Sequence, residues 1–297
     1  MIEISIIIVN YNTKELLNQC LKSVFEKTQN IDFEVIVVDN ASQDYSCEMI
    51  KNEFANVKLI ENTENLGFGK ANNLGAKIAQ GKYLFFLNSD TVLINNAVKI
   101  LFDFMEKNQN CGICGGNLFD KKNTPVQSFQ PVLPSILWEL NAFTPKNLLY
   151  KLIFGKSYEF NHSQQPKEVG YIIGADMMVR KEILDKFGGF DNDFFMFFEE
   201  TEMAHRFNKN GYKIVSVPQS KIIHFEGQSI DNNLVRQKYF LSSRSKFYLK
   251  IYNKFYLFCA NIIFSLSSLI RIFIFAILLR FSKVRFWHFS LKNVWKK

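Results

Sequence analysis

Three times in the first ninety residues, a continuous apolar run gives way to a short polar break and then to apolar residues at helical spacing. Ile4 to Val9 is followed by the break Asn10 to Thr13, and then by Leu16, Leu17, Cys20, Leu21, Val24 and Phe25. Phe33 to Val38 is followed by Asp39 to Asp44 and a helical stretch to Phe54. Val57 to Ile60 leads through Asn65-Leu66-Gly67-Phe68-Gly69 into a helix over Lys70 to Gln80, and the strand Tyr83 to Leu87 comes next. A strand with no polar face must be covered on both sides, and strands alternating with helices build an α/β fold around a mostly parallel sheet. Such sheets bind ligands at the carboxyl ends of their strands. That singles out three loops: Asn10 to Asn12, Asp39 to Ser42 and Asn88 to Asp90.

Beyond this region the pattern loosens. Residues 125 to 168 hold five of the six prolines and read as an excursion over the site. A strand-like run at Val169 to Ile173 and a helix after Arg180 resume the fold, and no internal repeat is present.

Charge divides the chain sharply. The final 66 residues carry 13 Lys or Arg and no Asp or Glu, which leaves 23 basic against 28 acidic side chains before them. A basic segment suits nucleic acid or an anionic membrane. Here Phe255 to Phe281 is apolar apart from Asn261, a few Ser, Arg271 and Arg280, so residues 232–297 read as a helical membrane-associating extension and nucleic acid is excluded as a partner. Lys250, Lys254, Asn261, Ser265, Ser268 and Arg271 recur at spacings of four, seven, four, three and three, a polar stripe that favours a helix lying in the interface. The run before Arg271 is also short of the roughly 20 residues of a span. The domain reading is therefore 1–230 for a catalytic unit and 231–297 for the tail.

Five scattered cysteines read as reduced thiols, and Met1-Ile2-Glu3-Ile4 lacks the basic start of an export signal. Cys111-Gly112-Ile113-Cys114 spells C-x-x-C without a second ligand pair, so it reads as small strand residues before a glycine turn.

Three constellations carry chemistry. Asp39 ends a buried strand, where a carboxylate can accept the imide N–H of a pyrimidine base; Ser42 behind it is either part of that loop or a helix N-cap. Asp90 closes Asn88-Ser89-Asp90 on the same sheet edge, where it can hold a divalent cation against a diphosphate or cap a helix over Val92 to Met105. Gly188-Gly189-Phe190-Asp191 precedes Phe194-Phe195-Met196-Phe197-Phe198 and then Glu199-Glu200-Thr201-Glu202. Aromatic residues before paired carboxylates desolvate them and raise a carboxylate toward a useful general base, while acids also simply favour the first turn of a helix. His224, after Lys221 to Ile223 and before Glu226-Gly227-Gln228-Ser229, is either a metal ligand or a structural histidine.

In this order the motifs resemble the family 2 glycosyltransferases of the GT-A fold, especially the rhamnosyltransferase-like group. The resemblance runs from Ser5 to about Ser229 through Val9-Asn10-Tyr11-Asn12, Val38-Asp39-Asn40-Ala41-Ser42, Asn65-x-Gly67-Phe68 with Asn72 and Gly75, Gly81-x-Tyr83 leading to Asn88-Ser89-Asp90, Gly174-Ala175, Gly188-Gly189-Phe190-Asp191 and the acid cluster. It implies that Asn10, Tyr11 and Asp39 hold the nucleoside, and that Asn12, Asn40, Asn65, Gly67, Asn72, Asn88, Ser89, Gly174 and Ala175 complete the nucleotide-sugar site. Asp90 matches the metal-binding last acid of a D-x-D-like motif, His224 a metal-binding histidine, and Glu200 the general base of E-D-x-D. A divalent cation, Mg²⁺ or Mn²⁺, is implied with them. Two positions depart from the pattern: Asn88 replaces the first acid of D-x-D, and Glu200 is one methylene longer than the usual Asp, which leaves Glu199 open as the base.

The expected activity is inverting transfer of a sugar, rhamnose among the candidates, from a nucleotide diphosphate-sugar to a hydroxyl of a lipid-linked or cell-surface glycan acceptor. The expected place is the cytoplasmic face of a membrane, peripheral or monotopic. A sugar nucleotidyltransferase would need a Gly-rich phosphate loop where this chain has Asn10-Tyr11-Asn12. A non-catalytic membrane adaptor would not need Asp90, His224 and the acid cluster together.

Overall fold

A computed structural model describes residues 2–155, 158–225 and 232–296. Glu226 to Ser229 and the 230/231 boundary lie outside the described residues. The chain forms two compact units.

The first unit comprises Met1–Val132, Glu159–Asn192 and Glu199–Ser229. In chain order its elements start with β1 (Ile4–Asn10), α1 (Lys14–Lys27), β2 (Phe33–Asp39), α2 (Ser46–Glu53), β3 (Val57–Glu61), α3 (Phe68–Ile78) and β4 (Tyr83–Asn88). Next come β5 (Thr91–Leu93), α4 (Ala97–Lys107), β6 (Cys111–Phe119) and β7 (Phe129–Gln130). The second unit takes α5 (Ile136–Phe143) and α6 (Leu148–Phe154), after which β8 (Lys167–Glu168), β9 (Tyr171–Ile172), β10 (Asp176–Arg180), α7 (Lys181–Phe187), α8 (Glu199–Lys209) and β11 (Lys213–His224) return to the first.

The main sheet runs β3-β2-β1-β4-β10-β6-β11-β5, with β8 also paired to β11. Its front half is parallel, as the apolar runs dictate. Ile4, Ile6 and Ile8 pack with Leu17, Leu21 and Val24 of α1, Met49 and Ile50 of α2, and Leu101 and Met105 of α4. Ile7, Val38 and Phe86 face the other way, toward α3 and Phe190. Both faces of β1, β2 and β4 being covered is why these three strands are buried almost throughout, whereas the edge strand β3 keeps exposed Lys58 and Glu61. Gly81 opens β4 beside β1; a Cβ there would stand 2.4 Å from the Ser5 backbone nitrogen, so only glycine lets the two strands close.

The back half holds what periodicity did not reveal. β10, Asp176–Arg180, is antiparallel to both β4 and β6. The run at Val169 to Ile173 yields only the two-residue β9, paired with β7. Val92 lies in β5, so Asp90 caps no helix, and α4 starts at Ala97. Cys111 and Cys114 are buried strand residues, but the glycines after them stay in β6 rather than turning.

The second unit comprises Leu133–Tyr158, Asp193–Phe198 and Ile230–Lys297, so two segments from within the 1–230 range join the tail. Its tail folds as α9 (Asn233–Ile251), α10 (Lys254–Ile277) and α11 (Phe281–Asn293). Phe194, Phe198, Phe247, Tyr248 and Ala260 form its core. A fully buried ion pair ties three helices: Arg244 donates to Glu139 at 2.6 Å and to Asn261 at 2.8 Å, while the Tyr248 hydroxyl donates to Glu139 at 2.8 Å.

Of the polar stripe in the tail, Asn261, Ser268 and Arg271 pack inward, whereas Lys250 and Lys254 are exposed. Lys250 lies in α9, and Asn253, whose side chain accepts from Tyr256 N–H, caps a separate α10. Asn261 and Ser268 are buried, and Arg271 donates to Ser267 and to the Ala142 carbonyl of α5. α10 is long and apolar enough to cross a membrane by length and composition, with mean hydropathy 2.0.

Candidate active site

Asn10, Asp39 and Asn88 end three neighbouring parallel strands, with Asn10 opposite Asp39 and Val9 opposite Asn88. Their loops are laced by side chains. Asn10 Nδ2 donates to Asp39 Oδ2 at 2.7 Å and to Ser42 Oγ at 3.0 Å, and the Ser42 N–H donates to Asp39 Oδ1 at 2.7 Å. Ser42 is no helix cap, because α2 starts at Ser46. Its hydroxyl instead also receives the Asn12 N–H, at 2.9 Å, while Asn12 Oδ1 accepts from Gln43 N–H. Thr13, which sequence reasoning passed over, bridges Asn10 Oδ1 at 2.7 Å and Ser89 Oγ at 2.9 Å. Asn40 donates to the Gly67 carbonyl and Asn65 accepts from the Gly67 N–H, pinning the loop before α3 to the tip of β2. Asn12, Ala41 and Tyr45 all adopt left-handed φ of 53° to 65°, so strained backbone gathers at this edge. Tyr11 stands half-exposed among them.

Asp90 and His224 meet on the adjoining strands. His224 lies opposite Thr91 in the β11–β5 pairing, and its Nε2 stands 3.3 Å from Asp90 Oδ1 and 3.4 Å from Asn88 Nδ2. Both residues are buried, and His224 Nδ1 has no partner among the described residues. Among the described residues no three His, Cys, Asp or Glu gather as a metal cage. One carboxylate and one imidazole suit a cation whose remaining positions are filled by water and phosphate oxygens. Asp90 and His224 would together supply two ligands to a divalent cation such as Mg²⁺ or Mn²⁺.

At the start of α8 the two carboxylates part company. Glu199 is buried against α3, its Cβ 3.6 Å from where a Gly69 Cβ would lie. Burial first, and the Glu200 charge second, push the Glu199 carboxyl well above the ordinary carboxylate range. Glu200 is only half-buried and lies by Gly174, its Cβ 3.8 Å from where a Gly174 Cβ would lie, beside Phe68. Glu202 is held by Arg206 Nη2 at 2.7 Å, and the same guanidinium donates to the carbonyls of Phe187, Gly188 and Gly189. From the other side Asn73 grips Phe190 twice, Nδ2 donating to its carbonyl at 2.7 Å and Oδ1 accepting its N–H at 2.9 Å. Asn72, the neighbour singled out from the sequence, is buried and turns back on its own helix toward the Phe68 carbonyl. The adjacent Asn-Asn pair was the visible signal; helix phase decides which member reaches the loop. Ala175 is buried and its carbonyl accepts the Asn88 N–H at 3.0 Å.

Residues 5–188 match the family model described as glycosyl transferase family 2. The chain belongs to glycosyl transferase family 2. This family 2 chain is 24% identical over 240 residues to the N-acetylglucosaminyl-diphospho-decaprenol L-rhamnosyltransferase of Mycobacterium tuberculosis, covering 75% of this chain and 76% of that one. It is 33% identical over 141 residues to the poly(ribitol-phosphate) beta-glucosyltransferase of Bacillus spizizenii, covering 45% of this chain and only 22% of that enzyme. Among solved structures it is similar to the mannosyltransferase PcManGT of Pyrobaculum calidifontis in complex with GDP-Man and Mn²⁺, at TM-score 0.59 and 16% identity over 99% of this chain and 88% of that one. It is also similar to GalNAc-T7 with UDP, GalNAc and Mn²⁺, at TM-score 0.57 and 18% identity over 84% of this chain and 50% of that one. The fold of this family 2 protein is GT-A.

Proposed function

We propose that the protein is an inverting glycosyltransferase that moves a sugar from a nucleoside diphosphate to a hydroxyl of a lipid-linked or cell-surface glycan. The observation that carries the reading is that Asp39 and the Asp90–His224 pair share one sheet edge, while Glu200 lies by Gly174, whose neighbour Ala175 accepts the Asn88 N–H at that edge. In this reading Asp39, braced by Asn10 and Ser42, accepts the base N–H of the donor, and Tyr11 covers the nucleoside. Asp90 and His224 would hold a divalent cation, which supplies charge neutralisation for the departing diphosphate.

Glu200 takes the proton of the acceptor hydroxyl as its oxygen attacks the anomeric carbon. The C–O bond to the diphosphate breaks as the new glycosidic bond forms, and no covalent enzyme intermediate arises. Glu199, whose neutral form burial favours, keeps the start of α8 seated on α3. Rhamnose is supported as the sugar by the mycobacterial relative alone. The basic, apolar tail, residues 232–297, holds the enzyme at the anionic cytoplasmic face of a membrane.

A screen of nucleoside diphosphate-sugars for hydrolysis, with Mn²⁺ and with EDTA, tests this. One donor consumed only with metal, with a UDP-, GDP- or dTDP-type product, is the expected result. No turnover of any donor, together with no nucleoside diphosphate binding, would sink it.

A further inference from the structure

The apolar surface of this protein is concentrated in one place. Of the 23 large hydrophobic side chains exposed among the described residues, 19 belong to the second unit. The same unit carries 16 Lys and Arg against three acids, of which Glu139 is buried against Arg244. Exposed apolar side chains gathered on one unit in this way mark an interaction surface. The charge around it selects the occupant.

On α10 the exposed residues Phe255, Phe258, Ile262, Leu266, Phe273 and Ile277 form one stripe, which exposed Leu269, Ile270 and Ile274 widen. The spacings of those first six, three, four, four, seven and four, keep them on a single helix face about 33 Å long. The opposite face is the packed one, with Asn261, Ser267 and Ser268 buried and Arg271 bonded to α5. At one end of the stripe Lys254 and Lys296 are exposed, near the Phe258–Trp295 ring contact; at the other are Arg280, Lys283 and Arg285.

We propose that the outward face of α10 lies flat in one leaflet of an anionic membrane, with those cations at the headgroup level. This deepens, and rests on, the membrane placement in the proposed function. The polarity of the helix middle is the reverse of the sequence reading: Asn261, Ser268 and Arg271 face the protein and the apolar stripe faces lipid. A transmembrane path is closed to α10, because its buried polar face would have to enter hydrocarbon or carry α5, α9 and α11 in with it. A flat pose needs neither. Apolar side chains enter the interface while the cations meet phosphate.

Flotation of the full-length protein with phosphatidylcholine vesicles, with and without phosphatidylglycerol, tests the assignment. The wild type is expected to float with the anionic vesicles only, to be released by high salt, and to be stripped by alkaline carbonate. The triple variant Phe255→Glu, Leu266→Glu, Phe273→Glu leaves the packed face untouched and should bind at least about a hundredfold more weakly, at unchanged melting temperature. Vesicle binding by the variant equal to wild type overturns the proposal, as does carbonate-resistant insertion. A wild-type dimer that ignores vesicles and dissociates in the variant overturns it in favour of a second copy as the occupant. Donor hydrolysis and nucleoside diphosphate binding on the same samples separate the two readings: a wild type that floats yet neither turns over nor binds any donor supports this surface and sinks glycosyl transfer.

Discussion

His224 Nε2 stands 3.3 Å from Asp90 Oδ1, joined across the pairing of β11 with β5, while the Phe225 N–H donates to the Asp90 carbonyl at 2.9 Å. Two strands far apart in sequence thus deliver one carboxylate and one imidazole to the same point.

That pairing predicts metal behaviour. Asp90→Asn should lower Mn²⁺-dependent donor turnover by at least about a hundredfold, because a neutral amide offsets no diphosphate charge. His224→Ala should raise the Mn²⁺ needed for half-maximal activity by about tenfold or more. A metal titration of each variant is the check, and wild-type activity in EDTA matching that in Mn²⁺ would overturn the assignment.

The two glutamates at the start of α8 should separate cleanly. Glu200→Gln is expected to lower kcat by about 10² to 10⁴ with nucleotide affinity nearly unchanged. Glu199→Gln should retain most of kcat, since burial favours the neutral acid and the amide keeps its shape. Steady-state kinetics with calorimetric donor binding decides it; the opposite ranking would make Glu199 the base.

Asn73 predicts a positioning effect. Asn73→Ala removes both hydrogen bonds to Phe190 and should cost about 1–3 kcal/mol. It should also lower kcat more than donor affinity, because the Gly188–Asp191 loop it grips leads toward the acid cluster. Urea denaturation and kinetics on the same variant test both parts.

Asp176 predicts the pH dependence of stability. It is fully buried, among the described residues accepts only the Gly116 N–H at 2.6 Å, and burial pushes its carboxyl well above the ordinary carboxylate range. The folded state therefore binds this proton more tightly than the unfolded chain. Stability should fall as pH rises above the ordinary carboxylate value toward the raised one, by up to about 1.4 kcal/mol per pH unit from this group. Asp176→Asn should flatten that slope, and equal slopes in the two proteins by denaturation from pH 4 to 8 would refute it.

Much of the site was legible because its residues end recognisable strands. Continuous burial of β1, β2 and β4 follows from their apolar runs, and the residue after each run must emerge at the carboxyl edge, which is where Asn10, Asp39 and Asn88 stand. Asn73, Arg206 and Thr13 were missed because each acts through a partner distant in sequence, and an Asn, Arg or Thr on a helix or loop carries no local mark of such a partner.

The sequence by itself determined the βα alternation, the polar strand ends, and the segregation of positive charge into the tail, since these depend only on which residues follow which. Tertiary structure alone decided the rest. Residues 1 apart on α8 were separated into a buried Glu199 and a half-exposed Glu200 by what packs against each face. The antiparallel insertion of β10 between β4 and β6 was set by hydrogen-bond partners that five residues cannot specify. The polar stripe of α10 was turned inward because Arg244 needed Asn261 and Glu139 around it, and a helix read alone cannot say which of its two faces will find a neighbour.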